Sequence, residues 1–367
     1  MRSQDEQPAG FGQGTDGVCV REAGRVAAEP AAFAEPHAPH HQPLVSVVIP
    51  AFNNAATLGE TVHSASEQTW RSIEIIVVDD GSTDRTPEIV AAHMLVDPRV
   101  RLIRQRNGGV AAARNRGVAE STGDFIALLD ADDLWRPTKI ARQMQVMLAS
   151  DSQTAAVYNW CCLIDDDGRV LSSGGQRPME GNVFVEMCRR DIIGNGSALL
   201  VRRSAFLDVG GCDETLVCDG LHAGDETKLH LALAERFDFG LVREELTGYR
   251  LRRGSGSESY HRMAEVHRQA VEPFRLAYPQ YAPLMDLQRK EMLQWFASRA
   301  LNNRDPRGVI EMILRIGRRD PLFALYSMVF VPMRPLIRLV RRIRSGAVTR
   351  YWTQAPKPVS TESAPTG

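Results

Sequence analysis

Short apolar runs alternate with helical patterns along the first half of the chain. Residues 45–50 are apolar except for one serine and end at a proline, which predicts a strand buried on both faces. Further strands are predicted at residues 73–78, 100–103 and 125–129, with helices between them at residues 58–70, 86–94 and 110–118. Because strand and helix alternate, the sequence predicts an α/β fold with a mostly parallel central sheet flanked by helices.

The periodicity is weaker in the second half. Residues 151–255 contain one clear helical pattern, at residues 225–236, and residues 256–346 are mostly helical in pattern. Residues 1–43 and 347–367 are rich in proline and small residues and show no period, which predicts disordered tails. The predicted organisation is listed in chain order: tail (1–43), α/β domain (44–255, with halves 44–150 and 151–255), basic helical extension (256–346) and tail (347–367).

Composition narrows the class of protein. Hydrophobic residues make up 43% of the chain and charged residues 24%, which is typical of soluble globular proteins. The net charge of −1 gives no global basic excess, so we expect no nucleic-acid partner. The six cysteines are sparse and form no C-x-x-C pair, which favours reduced thiols and a cytoplasmic location. The first residues lack a basic segment followed by an apolar one, so we expect no secretory signal. The longest apolar stretch, residues 321–333, is shorter than a membrane-spanning helix requires.

Acidic residues follow two of the predicted strands. Asp79 and Asp80 come after the second strand, and Asp130 and Asp132 come after the fourth. The carboxyl ends of parallel strands share one edge of the sheet, where ligands of such folds bind. Clustered carboxylates raise one another's pKa values, and a divalent cation relieves this repulsion. An Asp-x-Asp sequence alone is common in surface turns, but at this edge it predicts a site for Mn²⁺ or Mg²⁺.

Four motifs in order carry a family resemblance. They are VIPAFN (48–53), VVDDGSTD (77–84), NGGVAAARNRG (107–117) and LDADDLWRP (129–137). Together they resemble the family 2 inverting glycosyltransferases, which have the GT-A fold, over residues 44–255 and more firmly in the first half. The resemblance implies a metal-dependent enzyme that transfers a sugar from a nucleotide-sugar donor, expected to be UDP-linked. The implied acceptor is a hydroxyl of a glycan or polyprenyl-linked saccharide, in bacterial cell-surface polysaccharide synthesis.

The resemblance also implies which residues hold the nucleotide. Pro50, Phe52 and Asn53 match the first nucleotide-contacting turn, with Phe52 where tyrosine is common. Asp80 matches the carboxylate that accepts the imide N–H of uracil, and Asp79 lies beside it. An ionised carboxylate only accepts hydrogen bonds, which suits that role.

The same resemblance implies which residues bind the metal and the donor diphosphate. Asp130 and Asp132 match the metal-linked motif, with Asp132 as the direct ligand, while Asp133 either belongs to this motif or caps the next turn. Arg114 is expected either to reach the donor or to pair with a nearby carboxylate. Trp135 is expected either to stack on an acceptor sugar or to pack in the core.

The general base is expected in the second half. The sequence Gly-Gly-Cys-Asp-Glu at residues 210–214 resembles the family's Gly-Gly-Phe-Asp-Glu, with Cys212 in place of the aromatic residue. The family's Glu-Asp pair is matched by Asp225 and Glu226 in reversed order. We therefore place the base at Glu226, with Asp225 as its competitor. The segment from Tyr249 to Ser259 resembles the family's closing segment. It is expected either to bring Arg250 or Arg252 near the donor phosphates or to form a surface loop.

The end of the chain suggests a further partner. Residues 312–344 interleave arginines with apolar residues, the composition of a helix that lies in an anionic membrane surface. The alternative is an ordinary solvated basic face. A membrane contact would place the protein peripherally on the inner face of the plasma membrane, near a polyprenyl-linked acceptor.

Other functions are weighed against the glycosyltransferase. A nucleotidyltransferase that makes sugar nucleotides would need a glycine-rich basic segment near the first strand, and residues 50–60 have none. A dinucleotide oxidoreductase would need a G-x-G-x-x-G sequence there. A non-catalytic membrane-associated scaffold that retains the fold is also open, because Cys212 and the reversed acidic pair depart from the family pattern.

Overall fold

The structure is a computed structural model that describes residues 42–173, 178–218, 221–222, 225–251 and 260–344. The predicted tails lie outside the described residues, apart from residues 42 and 43, as does the loop 252–259. The strands are β1 Val45–Ala51, β2 Ile73–Asp79, β3 Val100–Arg104, β4 Phe125–Leu128, β5 Leu134–Trp135, β6 Thr154–Ile164, β7 Val170–Ser173, β8 Leu199–Arg202, β9 Val217–Cys218, β10 Leu221–His222 and β11 Asp238–Arg250. The helices are α1 Leu58–Ser66, α2 Thr86–Val96, α3 Val110–Ala119, α4 Lys139–Ala149, α5 Phe184–Arg189, α6 Arg203–Asp208, α7 Asp225–Arg236, α8 Tyr260–Ala277, α9 Ala282–Asn302, α10 Pro306–Gly317 and α11 Pro321–Arg344.

A nine-stranded sheet organises the first two-thirds of the chain. Its order is β3-β2-β1-β4-β8-β6-β11-β5, and β7 pairs with β6. Strands β3, β2, β1 and β4 are mutually parallel, and every residue of β1 is buried. The predicted α/β fold with a C-terminal helical extension is therefore confirmed, and the parallel order predicted for most of the sheet is found in these four strands.

The second half of the sheet is mixed. Strand β8 runs antiparallel to both β4 and β6, while β11 is parallel to β6 and antiparallel to β5. The pairing of β11 with β6 shifts register near Glu245, where Arg243 and Glu244 are exposed. Such irregularities interrupt the apolar pattern, and for this reason the sequence indicated no strands here.

Alternate residues of β1 supply two hydrophobic cores. Val48 packs into a core with α7 and β6, whereas Val47 and Ile49 pack into a core with α1 and α4. This alternation follows from the two-residue period of a strand. The sheet is thus covered by helices on both faces, and the polar carboxyl ends of its parallel strands are free to form a site.

Helices α8–α11 form the helical extension. A separate core includes Ala264 of α8, Phe296 of α9, Met312 of α10 and Val331 of α11. Across the residues the structure describes, no helix has both the length and the apolar character needed to span a bilayer.

Candidate active site

The loop after β4 carries the two predicted metal-linked carboxylates. The backbone N–H of Asp130 donates to Ser197 Oγ at 3.0 Å. On the other side of the loop, the hydroxyls of Thr57 and Thr61 each donate to the Ala131 carbonyl at 3.0 Å. The side chains of Asp130 and Asp132 remain partly exposed. The loop is therefore fixed through its backbone while both carboxylates face accessible space.

Asp133, the next acid along this loop, has a structural role. It is fully buried and accepts hydrogen bonds from Asn195 Nδ2 (2.8 Å), Ser197 Oγ (2.6 Å) and the Arg250 N–H (2.9 Å). Burial, followed by the charges of Asp132 and Asp130, raises its pKa well above the ordinary value. The capping alternative is wrong, because α4 begins at Lys139 and Thr138 precedes it. Asp133 instead joins the loop to the turn at residues 195–197 and to the end of β11.

Arg114 connects the two halves of the site. Its Nη2 donates to Asp130 Oδ1 at 2.5 Å and to Glu226 Oε1 at 2.5 Å. The guanidinium is buried, with only 2% of the side chain exposed. Of the two alternatives for Arg114, the structure shows the carboxylate pairing. Three residues singled out from separate parts of the sequence thus meet at one point.

Small residues in α3 explain how Arg114 reaches this position. Gly117, one turn later on the helix, lies so close to β1 that a Cβ there would overlap the Val48 side chain. Ala111 and Ala113 are likewise buried. The helix therefore packs tightly on the sheet, and the guanidinium emerges beside the ends of the strands.

Glu226 is held at the start of α7. Its Oε2 accepts the Gly196 N–H at 3.2 Å, and its Oε1 pairs with Arg114. The first turn of a helix favours a carboxylate through the helix dipole. The side chain is 31% exposed, so solvent or a substrate can reach it. Asp225 begins the helix, and its side chain lies outside the described part of the structure.

The residues that hold Glu226 were not identified from the sequence. Asn195, Gly196 and Ser197 form a short turn between the Asp130 loop and α7. A Cβ on Gly196 would lie 2.9 Å from both Cδ and Oε1 of Glu226. The Asn-Gly pair is a turn signal, but its location depends on β8, which no pattern indicated.

The predicted uracil-binding carboxylate lies in the loop that follows β2. Asp80 accepts hydrogen bonds from Gln105 Nε2 and the N–H groups of Gly108 and Gly109, each at 2.8 Å. A carboxylate offers about four acceptor positions, so one remains on Asp80 Oδ2. Asp79 is fully buried and accepts from the Ser82 N–H at 2.9 Å and from Arg104 Nε at 3.0 Å. Asp79 forms an ion pair with Arg104 that shapes the loop, whereas Asp80, which is also buried at 3% exposure, is held by neutral donors and keeps one acceptor position.

The turn after β1 offers one aromatic surface. Phe52 is 47% exposed, whereas Pro50 is buried within the strand. Asn53 has a left-handed backbone (φ 52°), and its Oδ1 accepts the Thr83 N–H at 2.9 Å. The Asn53 side chain thus holds the following loop, and the Phe52 ring presents an exposed apolar surface.

The sheet order fixes the spacing between these two groups of carboxylates. Strand β1 lies between β2 and β4, so the Asp80 loop and the Asp130 loop are two strand spacings apart, or about 10 Å. An elongated ligand can therefore contact both loops at once, with Phe52 between them.

For two further residues, the structure decides between the alternatives expected from the sequence. Trp135 is 1% exposed, its indole N–H donates to the Ser197 carbonyl at 2.7 Å, and Lys139 Nζ lies 3.8 Å from its ring centroid. The packing alternative fits, and we no longer assign Trp135 to acceptor binding. Arg250 is buried rather than in a surface loop, and its Nε donates to the Asp132 carbonyl at 2.7 Å. Arg250 thus supports the backbone of the loop that carries the predicted metal-linked carboxylates.

Cys212 fills the place of the expected aromatic residue within the core. It is buried, and its N–H and carbonyl are both bound by the Asn115 side chain, at 2.9 and 2.8 Å. The preceding Gly211 has φ 69°, a conformation that favours glycine. This departure from the family pattern therefore leaves the loop attached to α3 beside Arg114.

The carboxylates suit a hard divalent cation. No group of three or more His, Cys, Asp or Glu side chains in the described residues could hold a metal on its own. Mg²⁺ and similar ions are commonly held by one or two carboxylates, with substrate phosphates and water completing the shell. The partly exposed oxygens of Asp130 and Asp132 fit that arrangement.

Comparison with known proteins defines the class. The mannosyltransferase PcManGT from Pyrobaculum calidifontis, solved in complex with GDP-Man and Mn²⁺, overlaps 83% of this chain and 83% of its own. The TM-score is 0.51 at 18% identity, a likeness that shows the fold, which is GT-A.

The sequence comparisons give the family. The family model described as "Glycosyl transferase family 2" matches residues 46–207. The glycosyltransferase GlyG of Streptococcus pneumoniae is 32% identical over 220 residues, which are 58% of this chain and 72% of GlyG. The putative teichuronic acid biosynthesis glycosyltransferase TuaG of Bacillus subtilis is 32% identical over 154 residues, covering 42% of this chain and 60% of TuaG. The chain belongs to glycosyltransferase family 2 and is related to polysaccharide-biosynthesis enzymes.

Proposed function

We propose that this glycosyltransferase uses a divalent cation and a nucleotide-sugar donor, and that it inverts the configuration of the transferred sugar. The observation that carries the proposal is the contact of Arg114 with both Asp130 and Glu226. It brings the carboxylate expected to contact the donor diphosphate next to the carboxylate expected to activate the acceptor.

Glu226 acts as the general base. A sugar hydroxyl is a poor nucleophile, so a carboxylate must accept its proton as the oxygen attacks the anomeric carbon. The oxygen enters opposite the departing diphosphate, and one such displacement inverts that carbon. The Arg114 guanidinium and the Gly196 N–H orient the carboxylate. Asp225 remains its competitor in sequence.

Asp130 and Asp132 would hold Mn²⁺ or Mg²⁺ with the donor diphosphate. The cation, when bound, supplies positive charge where negative charge grows on the leaving group. The chain itself contributes a fixed loop, because the backbone contacts of Asp130 and Ala131 hold both carboxylates in place.

The donor's nucleoside would lie between Phe52 and Asp80. The exposed Phe52 ring offers a stacking surface, and the remaining acceptor position of Asp80 suits the imide N–H of uracil. This supports a UDP-linked sugar as the donor. PcManGT is described with GDP-Man. GDP-linked sugars are therefore the donors against which UDP-linked sugars should be tested first.

A scaffold without activity fits these contacts less well. Glu226 remains 31% exposed beside the donor loop, and the Cys212 substitution leaves its loop in place. A nucleotidyltransferase is disfavoured because the chain belongs to a glycosyltransferase family.

Donor hydrolysis tests the proposal directly. The purified protein with Mn²⁺ is expected to release nucleotide slowly from one member of a panel of UDP- and GDP-linked sugars, since water replaces the acceptor. The same donor should raise the melting temperature in a thermal-shift assay. Absence of both hydrolysis and a thermal shift across the panel would favour the scaffold.

Gly196→Ala tests whether Glu226 must stay where it is. The added methyl group would meet the Glu226 carboxylate and displace it, so we expect turnover to fall about tenfold or more with nearly unchanged donor affinity. Gly59→Ala in α1 is the matched control, because its new methyl group makes only ordinary contacts, the nearest at 3.7 Å. Equal turnover in the two variants would argue against Glu226 as the base.

We also propose that α11 rests on the anionic inner face of a membrane, where a polyprenyl-linked acceptor would be found. Five apolar residues recur along one exposed side of the helix: Leu322, Leu325, Tyr326, Val329 and Met333. The opposite side, with Ala324 and Val331, is buried in the helical core. The apolar stripe is followed in sequence by arginines at 334, 338, 341, 342 and 344, a composition that suits an anionic interface.

Charges introduced into the stripe test this contact. We expect the double variant Leu325→Glu/Val329→Glu to bind phosphatidylglycerol vesicles about tenfold or more weakly, because each side chain contributes roughly 1.5–3 kcal/mol when buried. Both positions are exposed, so the fold should be unchanged. Leu95→Glu, at an 89% exposed leucine in α2, is the control. Flotation that is the same for all three proteins would reject the membrane contact.

A further inference from the structure

Four arginines surround a small pocket in the helical extension, away from the residues of the candidate active site. Arg268 and Arg275 lie on α8, Arg289 on α9, and Arg319 just before α11. We call this the arginine pocket. Its accessible volume is about 10 Å³, which is room for one water-sized group, and the Arg319 side chain that lines it is 58% exposed.

The carboxylates around the arginine pocket do not balance its positive charge. Arg268 pairs with Glu265, Arg275 with Glu272 at 3.4 Å, and Asp286 lies 3.5 Å from Arg275 and 3.7 Å from Arg319. Within the described part of the chain, Arg289 forms no ion pair with any carboxylate. The four arginines thus face three acids.

Arg289 also has an unsatisfied donor. Its Nε is buried and has no hydrogen-bond partner among the described residues, and neither has Nδ1 of His267, which also lines the pocket. Burial, followed by the charges of Arg319 and Arg268, lowers the pKa of Arg289. Buried donors without acceptors and like charges held together are both unfavourable. An anion in the pocket would supply the missing acceptor and the missing negative charge.

We propose that the arginine pocket binds a phosphate group. Guanidinium groups bind phosphate through paired, charge-assisted hydrogen bonds, and an arrangement of several arginines suits its several oxygens. The accessible volume admits one oxygen, which would approach Arg289, while the rest of the group lies near the exposed Arg319. The phosphate comes either from a lipid headgroup at the surface that α11 faces or from a soluble compound. This site is independent of the proposed catalytic residues.

Adjacent arginines provide a matched pair of variants. Arg318 and Arg319 are both exposed, but only Arg319 lines the pocket. In calorimetry with inorganic phosphate at constant ionic strength, we expect saturable binding to the native protein. Arg319→Gln should weaken it about tenfold, the value of a charged hydrogen bond, and Arg318→Gln less than about twofold. If phosphate binds at the donor site instead, the two variants should have equal affinity for it. That result, or no saturable binding to the native protein, overturns the proposal.

A second variant separates binding from a structural role. Phosphate should raise the melting temperature of the native protein, because it binds the folded state. Arg289→Gln should lose this rise while it melts normally in phosphate-free buffer, since no ion pair is removed. If Arg289→Gln melts lower in both buffers and still responds to phosphate, the arginine is structural and the proposal is wrong.

Vesicles distinguish the two sources of phosphate. If the group belongs to a lipid, Arg319→Gln should bind phosphatidylglycerol vesicles more weakly than Arg318→Gln, although both lose one surface charge. If the two variants float equally while only Arg319→Gln loses inorganic phosphate, the ligand is soluble. The stripe variant of α11 serves as the reference for loss of the membrane contact itself.

Discussion

Replacing Glu226 with glutamine is expected to reduce turnover about 10²- to 10⁴-fold, which is the usual contribution of a positioned general base. Glutamine keeps the size of the side chain and can still accept a hydrogen bond from Arg114, but it cannot take a proton from the acceptor hydroxyl. Donor affinity, measured by calorimetry with Mn²⁺, should therefore stay nearly constant. The rate is measured as nucleotide release with and without acceptor.

The control for this variant lies on the same helix. Glu235→Gln makes the same chemical change in the last turn of α7, where Glu235 contacts Tyr278 rather than the site. It should keep native turnover. If Glu226→Gln retains activity comparable to that of Glu235→Gln, the base lies elsewhere, and Asp225 is the first residue to examine.

Replacing Asp132 with asparagine is expected to weaken Mn²⁺-dependent donor binding about 100-fold. The amide lacks the negative charge that holds the cation, and such a contact is worth several kcal/mol. In EDTA the variant and the native protein should bind the donor equally weakly. Calorimetry in both conditions makes the comparison.

Asp124→Asn is the matched control for the metal ligand. Asp124 is an exposed residue immediately before β4, at the end of the strand opposite to Asp130 and Asp132. It should bind donor and Mn²⁺ as the native protein does. Unchanged donor affinity in Asp132→Asn with Mn²⁺ present would remove this residue from the proposed metal site.

The first half of the fold was predictable because its signals are local. Strands β1, β2 and β3 begin at the predicted residues 45, 73 and 100, since each is a short apolar run closed by polar residues. Strands β6 and β11 were missed because their partners are distant in sequence and polar positions such as Asn159 and Glu244 interrupt their patterns. Their pairing depends on tertiary contacts that no window of sequence contains.

Sequence motifs likewise identified some residues of the candidate site and missed others. The motif resemblance identified Asp130, Arg114 and Glu226, and the structure brings these three together. It could not identify Gly196, whose importance comes from a close approach to a residue 30 positions away. It also could not separate the roles of Asp79 and Asp80, because adjacent residues at a strand end point in different directions.

The contact of Arg114 with Glu226 limits how such enzymes can be recombined. Arg114 belongs to the nucleotide-binding half, yet it orients a carboxylate from the other half, 112 positions further on. A chimera that takes residues 151–255 from a relative with another acceptor preference would pair Arg114 with the relative's residue at position 226 instead of Glu226. Under the roles proposed for these residues, an active chimera needs an acid at position 226 and a glycine at position 196 in the segment taken from the relative.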